Sequence, residues 1–66
     1  MKLSINGEIK EFNKESMTVK ELLELMNYNK GIAVALNETF VLKIKYEDTK
    51  IEDGDRLDIL SPVQGG

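Results

Sequence analysis

Neither cysteine nor histidine occurs anywhere in these 66 residues. Their absence removes disulfides, zinc centres and every Cys–His or Ser–His nucleophilic pair. It also removes the side chain that titrates nearest neutral pH. Carboxylates alone can carry acid–base chemistry, but only in a cleft that desolvates them enough to raise their pKa. A chain this short buries only about 60% of the surface its unfolded form exposes, which leaves little room for such a cleft. The composition points to a substrate or partner of an enzyme rather than an enzyme, so no catalytic residue and no metal ligand is assigned.

Long apolar runs are missing as well. Nothing approaches the roughly 20 residues that cross a bilayer, and Met1 to Asn6 lacks the apolar segment of a signal peptide. A cytoplasmic protein without a membrane role is expected. With 41% hydrophobic and 32% charged residues, the chain has the composition of a soluble globular domain. Basic residues are not in excess: the net charge is −3 and the isoelectric point about 4.8. Nucleic-acid affinity rests largely on clustered Lys and Arg, so that class of partner is excluded. Lys43, Lys45 and Lys50 come nearest to a basic cluster and read as a solvated edge. The acidic run Glu52, Asp53, Asp55 and Asp58 lacks the spacing and terminal Glu of a calcium loop and reads as a turn around Asp53-Gly54.

Hydrophobic periodicity then sets the elements. Leu3 and Ile5 alternate with polar residues, as in a strand with one buried face. Asn6-Gly7 suits the two positive-φ positions of a type I′ hairpin turn. The return strand, Glu8 to Phe12, carries Ile9 and Phe12 three apart. They cannot share a face without a bulge unless one lies at the strand end. Thr18 and Glu21 form a capping box. Val19, Leu22, Leu23 and Met26 follow on one helical face, and Lys20 and Glu24 form an i,i+4 pair opposite. Met17 and Met26 read as core or edge packing. Asn27 to Gly31 stops the helix.

Ile32 to Leu36 reads as a strand with Ile32, Val34 and Leu36 inward. Asn37-Glu38 turns the chain into a short strand, Phe40 to Leu42. Lys43 to Lys50 is irregular, with a helical turn around Ile44 to Glu47. Arg56 to Leu60 is the last strand, with Leu57 and Ile59 inward, and Pro62 ends regular pairing. One helix packed on one face of a sheet of hairpins makes an α+β domain. The crossover rule favours setting the strand after the helix parallel to a neighbour in the sheet. Residues 1–60 form the domain, and residues 61–66 a flexible tail.

The tail, Ser61-Pro62-Val63-Gln64-Gly65-Gly66, presents a terminal carboxylate on a slender tether. Glycine has no Cβ, so its backbone can enter a narrow channel and approach another enzyme's reacting atoms. The plain alternative is a frayed chain end or a cloning remnant. Phe40, Ile44 and Leu60 also have two readings. Exposed near the tail, they form an apolar docking patch; turned inward, they are core.

The element order together with the tail resembles the ubiquitin-like β-grasp fold, with a mixed sheet of four to five strands. Within that fold the chain resembles the ThiS sulfur carriers of thiamine biosynthesis. The resemblance is densest at Ala33-Val34-Ala35-Leu36-Asn37-Glu38 with Phe40-Val41, at Glu52 to Ile59, and at Pro62 to Gly66. Leu42 departs from the proline that related carriers often carry.

The resemblance implies that an ATP-dependent, ThiF-type activating enzyme adenylates Gly66, with no cofactor bound by the chain itself. A persulfide donor then replaces AMP to leave a thiocarboxylate, whose sulfur goes to a ThiG-type thiazole synthase. Gly65 gives access, and Gln64 and Val63 fix the tail in the partner's channel. The alternatives are a MoaD-like small subunit of molybdopterin synthase, a carrier for another sulfur metabolite, a ubiquitin-like modifier, and an interaction module with an inert tail.

Overall fold

The computed structural model describes residues 1–28 and 32–60. Asn6 (φ 52°) and Gly7 (φ 86°) hold the two left-handed positions of the first hairpin. They join β1 (Lys2–Ile5) to β2 (Glu8–Glu11), which pair antiparallel. The Ile9–Phe12 conflict is resolved at the strand end. Ile9 stays in β2 and is exposed, while Phe12 lies one residue past it and packs against the core.

A strand absent from the sequence expectations, β3 (Ser16–Thr18), precedes the helix and pairs antiparallel with β6 (Lys50–Glu52). The pair buries one residue from each strand, Met17 and Ile51, directly opposite each other. Helix α1 (Val19–Leu25) starts on the expected capping box. The Glu21 N–H donates to the Thr18 hydroxyl at 3.1 Å, and the Thr18 N–H donates to the Glu21 carboxylate at 2.8 Å. Two further N–H groups at this end, those of Val19 and Lys20, donate to the carbonyls of Thr49 and Tyr46. At the other end Asn27 takes φ 62°. The N–H groups of Asn27 and Tyr28 return to the carbonyls of Glu24 and Leu23, the pattern of a Schellman cap.

Lys20 does not pair with Glu24 as the helical spacing suggested. Its ammonium meets Glu47 at 2.8 Å, because the Lys20–Tyr46 backbone bond draws the 45–49 turn against the start of the helix. That hydrogen bond and charge raise the Lys20 pKa and lower that of Glu47.

The capping box supports a prediction. Thr18→Ala should cost about 1 kcal/mol, and in a domain this small that lowers Tm by several degrees. The Thr18 backbone N–H holds the Glu21 pKa below its ordinary value of 4.5. A carboxylate whose pKa is depressed on folding contributes stability that is fully present above its unfolded pKa. That contribution is lost as pH falls through the folded value. The Tm difference between wild type and Glu21→Ala should therefore be widest at neutral pH and shrink below about pH 4.5, as thermal melts across pH would check.

The chain re-enters the sheet as β4 (Ala33–Leu36) and turns at Asn37 (φ 50°) and Glu38 (φ 72°) into β5 (Thr39–Val41). A 3₁₀ turn, Lys43–Lys45, stands where a helical turn was expected. After β6 the Glu52–Asp55 turn closes through chain-local bonds: the Asp55 carboxylate accepts from the Glu52 N–H, and Gly54 sits at φ 90°. The acidic run is thus turn chemistry.

The last strand, β7 (Arg56–Leu60), lies at the centre of a five-stranded sheet ordered β2-β1-β7-β4-β5. It runs parallel to β1 and antiparallel to β4. The strand after the helix therefore has antiparallel neighbours on both sides, contrary to the expectation drawn from the crossover rule. It points the same way as β2, but β1 and β7 take the places between them. Those two strands carry Leu3, Ile5, Leu57 and Ile59, all nearly inaccessible, so they occupy the best-covered part of the sheet. The core lies between this face and the helix, completed by Val19, Leu22, Leu23, Val34, Val41 and the β3–β6 pair. Ile32 and Leu36 pack at its margin.

Candidate functional site

Alternation along a strand sends successive side chains to opposite faces. With Leu57, Ile59, Val34 and Val41 turned to the core, Asp58, Leu60, Ala33, Ala35 and Phe40 belong to the outer face. Register places Leu60 opposite Ala33, and Ala35 lies between Asp58 and Phe40. The small alanines leave the two large side chains standing on either side of a shallow apolar floor. Phe40 is 61% exposed and Leu60 73%. Both side chains are thus turned outward rather than into the core.

Ile44 is also exposed, at 81%, but it sits on the 3₁₀ turn beyond β5 rather than on the sheet. Sequence reasoning named Leu42 as a strand end and did not count it with the exposed apolar residues. It is extended (φ −68°, ψ 144°) and 53% exposed, and it follows Phe40 on the same face across buried Val41. The signal was the alternation Phe40-Val41-Leu42 itself. A hollow of about 300 Å³ opens beside β5, with Phe40, Leu42, Lys45 and Thr49 in its wall.

Charge borders this apolar floor. Arg56 reaches Asp58 and Glu38, each at 3.4 Å, as exposed pairs that add little stability. Among the described residues no three acidic side chains converge as a metal cage. No helix among the described residues is long and apolar enough to cross a membrane. The tail residues Val63, Gln64, Gly65 and Gly66 lie outside the described residues. What the structure places is their root: β7 delivers the chain at Leu60, beside the apolar floor.

The sequence profile of the ThiS family matches residues 3–66, almost the full length and through both terminal glycines. The chain belongs to the ThiS family. It is 40% identical over 63 residues to the sulfur carrier protein ThiS of Thermus thermophilus, covering 94% of this chain and 95% of that one. It is 43% identical over 67 residues to a thiazole synthase of Paramagnetospirillum magneticum. That match takes in all of this chain but only 20% of the synthase. The crystal structure of the thiamine biosynthesis protein ThiS from Geobacter metallireducens superposes with a TM-score of 0.88 at 29% identity, over 100% of both chains. The mixed five-stranded sheet with one helix is the ubiquitin-like β-grasp fold of that family.

Proposed function

We propose that the protein is a sulfur carrier for thiazole formation in thiamine biosynthesis, a co-substrate rather than a catalyst. The observation that carries this reading is the family match running through Gly66 on a fold that ends its central strand at the root of the tail. A carboxylate is a poor electrophile because its charge repels nucleophiles and oxide does not leave. A ThiF-type activating enzyme transfers the adenylyl group of ATP to the Gly66 carboxylate and releases pyrophosphate. The resulting mixed anhydride has AMP as its leaving group.

A persulfide sulfur on a donor protein attacks the Gly66 carbonyl carbon and expels AMP, which leaves an acyl disulfide. A thiol of the donor then attacks the other sulfur. The donor leaves as a disulfide and Gly66 keeps a thiocarboxylate. Partner enzymes stabilise these transition states, while the carrier supplies the terminus and the surface that docks it. Gly65 lets the tail into a narrow channel, with Val63 and Gln64 setting its register. Phe40 and Leu60, with Leu42 and Ile44 beside them, form the docking surface. The reading places the protein in the cytoplasm with its ATP-using partner, with no cofactor bound by the chain itself.

The thiazole synthase relative favours a ThiG-type acceptor over a molybdopterin synthase, because a stretch like this whole chain lies inside it. Incubation with an activating enzyme, ATP and a persulfide donor should shift the intact mass by one oxygen replaced by sulfur, localised to Gly66. The product should then support thiazole formation by thiazole synthase and return as a plain carboxylate. Sulfur delivery to a pterin precursor instead would move the protein to the molybdopterin class. An isopeptide bond to a target lysine would make it a modifier.

A further inference from the structure

We propose that Asn6 is a positioning residue for the tail, holding β7 in line up to the point where the tail begins; this rests on the carrier reading above. The β1–β7 ladder stops short of the end of β7. The two strands pair in parallel at Ser4–Arg56 and Ile5–Leu57. Backbone bonds run from the Ser4 N–H to the Asp55 carbonyl at 3.0 Å and from the Asn6 N–H to the Leu57 carbonyl at 2.9 Å. The next backbone bond would need a residue that continues β1. The chain instead turns at Asn6 and Gly7 and leaves as β2.

A strand directs the N–H and C=O of alternate residues to opposite sides, so Ile59, like Leu57, faces β1. Without a partner both of its peptide groups would stand open one residue before β7 ends. Buried polar groups in that state are costly and the strand end frays.

The Asn6 side chain supplies what the missing backbone would have supplied. Its Oδ1 accepts from the Ile59 N–H at 2.7 Å, and its Nδ2 donates to the Ile59 carbonyl at 3.2 Å. On a carboxamide the acceptor oxygen and one N–H point to the same side, as the C=O and N–H of a single strand residue do, so the ladder is extended by two residues on a side chain. Both bonds are partly buried and span 53 positions of sequence.

An internal comparison exists at the other end of the same strand. Asn37 occupies the corresponding place in the second hairpin, also at positive φ. Its Oδ1 accepts from the Arg56 N–H at 3.0 Å, while its own N–H donates to the Arg56 carbonyl at 2.7 Å. Two turn asparagines therefore peg β7, Asn37 at its entry and Asn6 at its exit. Only the second lies next to the tail. A carrier presents its terminus to an enzyme that grips the folded body, so the direction in which the chain leaves the sheet sets how often Gly66 reaches the reacting atoms.

The test replaces each asparagine by glycine, which keeps the left-handed turn and removes the carboxamide. Adenylation of Gly66 is followed by pyrophosphate release at saturating and limiting carrier. Asn6→Gly should lower the maximal rate about tenfold with KM within about twofold, because docking is intact and delivery is not. Asn37→Gly should leave both values as in wild type. Asn6→Asp keeps the acceptor for the Ile59 N–H but not the donor, and should fall between. Amide exchange supplies a second readout. In Asn6→Gly the Ile59 N–H should exchange about tenfold faster relative to that of Leu57, as expected for local opening.

An unchanged maximal rate for Asn6→Gly, or an equal loss in Asn37→Gly, would overturn the proposal. So would Ile59 and Leu57 amides that speed up together. If no activating enzyme adenylates the wild-type protein, the carrier reading fails on its own. The exchange measurement still decides whether Asn6 holds the end of β7.

Discussion

Removing Gly66 is expected to abolish thiocarboxylate formation while leaving the melting curve unchanged. The two halves of that outcome have separate causes. Activation needs a carboxyl group at the reacting phosphorus of ATP, and a tether one residue shorter holds it about 3.3 Å back. A displacement near 1 Å can already cost roughly 10²-fold when reacting atoms must be aligned. The core found among the described residues, by contrast, precedes the tail. The core runs from Leu3 to Ile59, and its most deeply covered members are Val19, Leu22, Ile51 and Leu57.

Gly65→Val should act through width rather than reach. The terminus is still present, but a β-branched side chain stiffens the backbone and crowds the narrow channel proposed for the tail. Adenylation of Gly65→Val should fall at least 100-fold by the same alignment argument, read as loss of the sulfur-for-oxygen mass shift at a fixed time. A deletion variant that unfolds would make the tail structural. A deletion variant that is still adenylated, now on Gly65, would show that the partner reads the end of the chain without measuring its length.

How much of this was legible in the sequence differs from element to element. The first hairpin was plain because Asn6-Gly7 demands a positive-φ turn and Leu3 and Ile5 alternate beside it. The helix start was plain because Thr18 and Glu21 sit at capping-box spacing. The β3–β6 pair was hidden, since each strand buries a single residue, Met17 or Ile51, and alternation cannot show in one residue. The Lys20–Glu47 pair was hidden because its members are 27 positions apart and meet only through the fold.

The exposed apolar residues proposed for docking fell between these cases. Phe40 and Leu60 are large and apolar, which the sequence states, but their face depends on register with Ala33 and Ala35, which it does not. The pegs on β7 were beyond sequence reading altogether. Asn6 and Asn37 read as turn residues, and nothing in a one-dimensional pattern shows that their carboxamides also bond a strand some 50 and 20 positions away. Hairpin turns chosen for positive φ thus also supply side chains that extend the central ladder.

Phe40→Asp should reduce kcat/KM for adenylation about 30-fold or more, almost wholly through KM. Binding energy at protein interfaces concentrates in a few large apolar side chains, whose loss costs about 2 kcal/mol or more each. Phe40 is 61% exposed on the outer face, beside the alanine floor and the hollow along β5. A carboxylate there would lose that contact and be desolvated without a partner when the enzyme docks. Stability should barely change, since the side chain is mostly in water before docking.

The control is Ile9→Asp. Ile9 is 69% exposed and belongs to the same outer face, opposite Ser4, but stands on the far edge strand β2. The two substitutions exchange the same kind of surface for the same charge at opposite edges of one sheet. A loss confined to Phe40→Asp assigns docking to the β4–β5–β7 side, next to the root of the tail. Equal losses would mean that net charge rather than a local patch governs association, and raising the salt concentration would then restore both variants toward wild type, as screening of exposed charges requires. Wild-type kinetics in Phe40→Asp would remove this face from the docking surface and leave the tail as the main determinant of recognition.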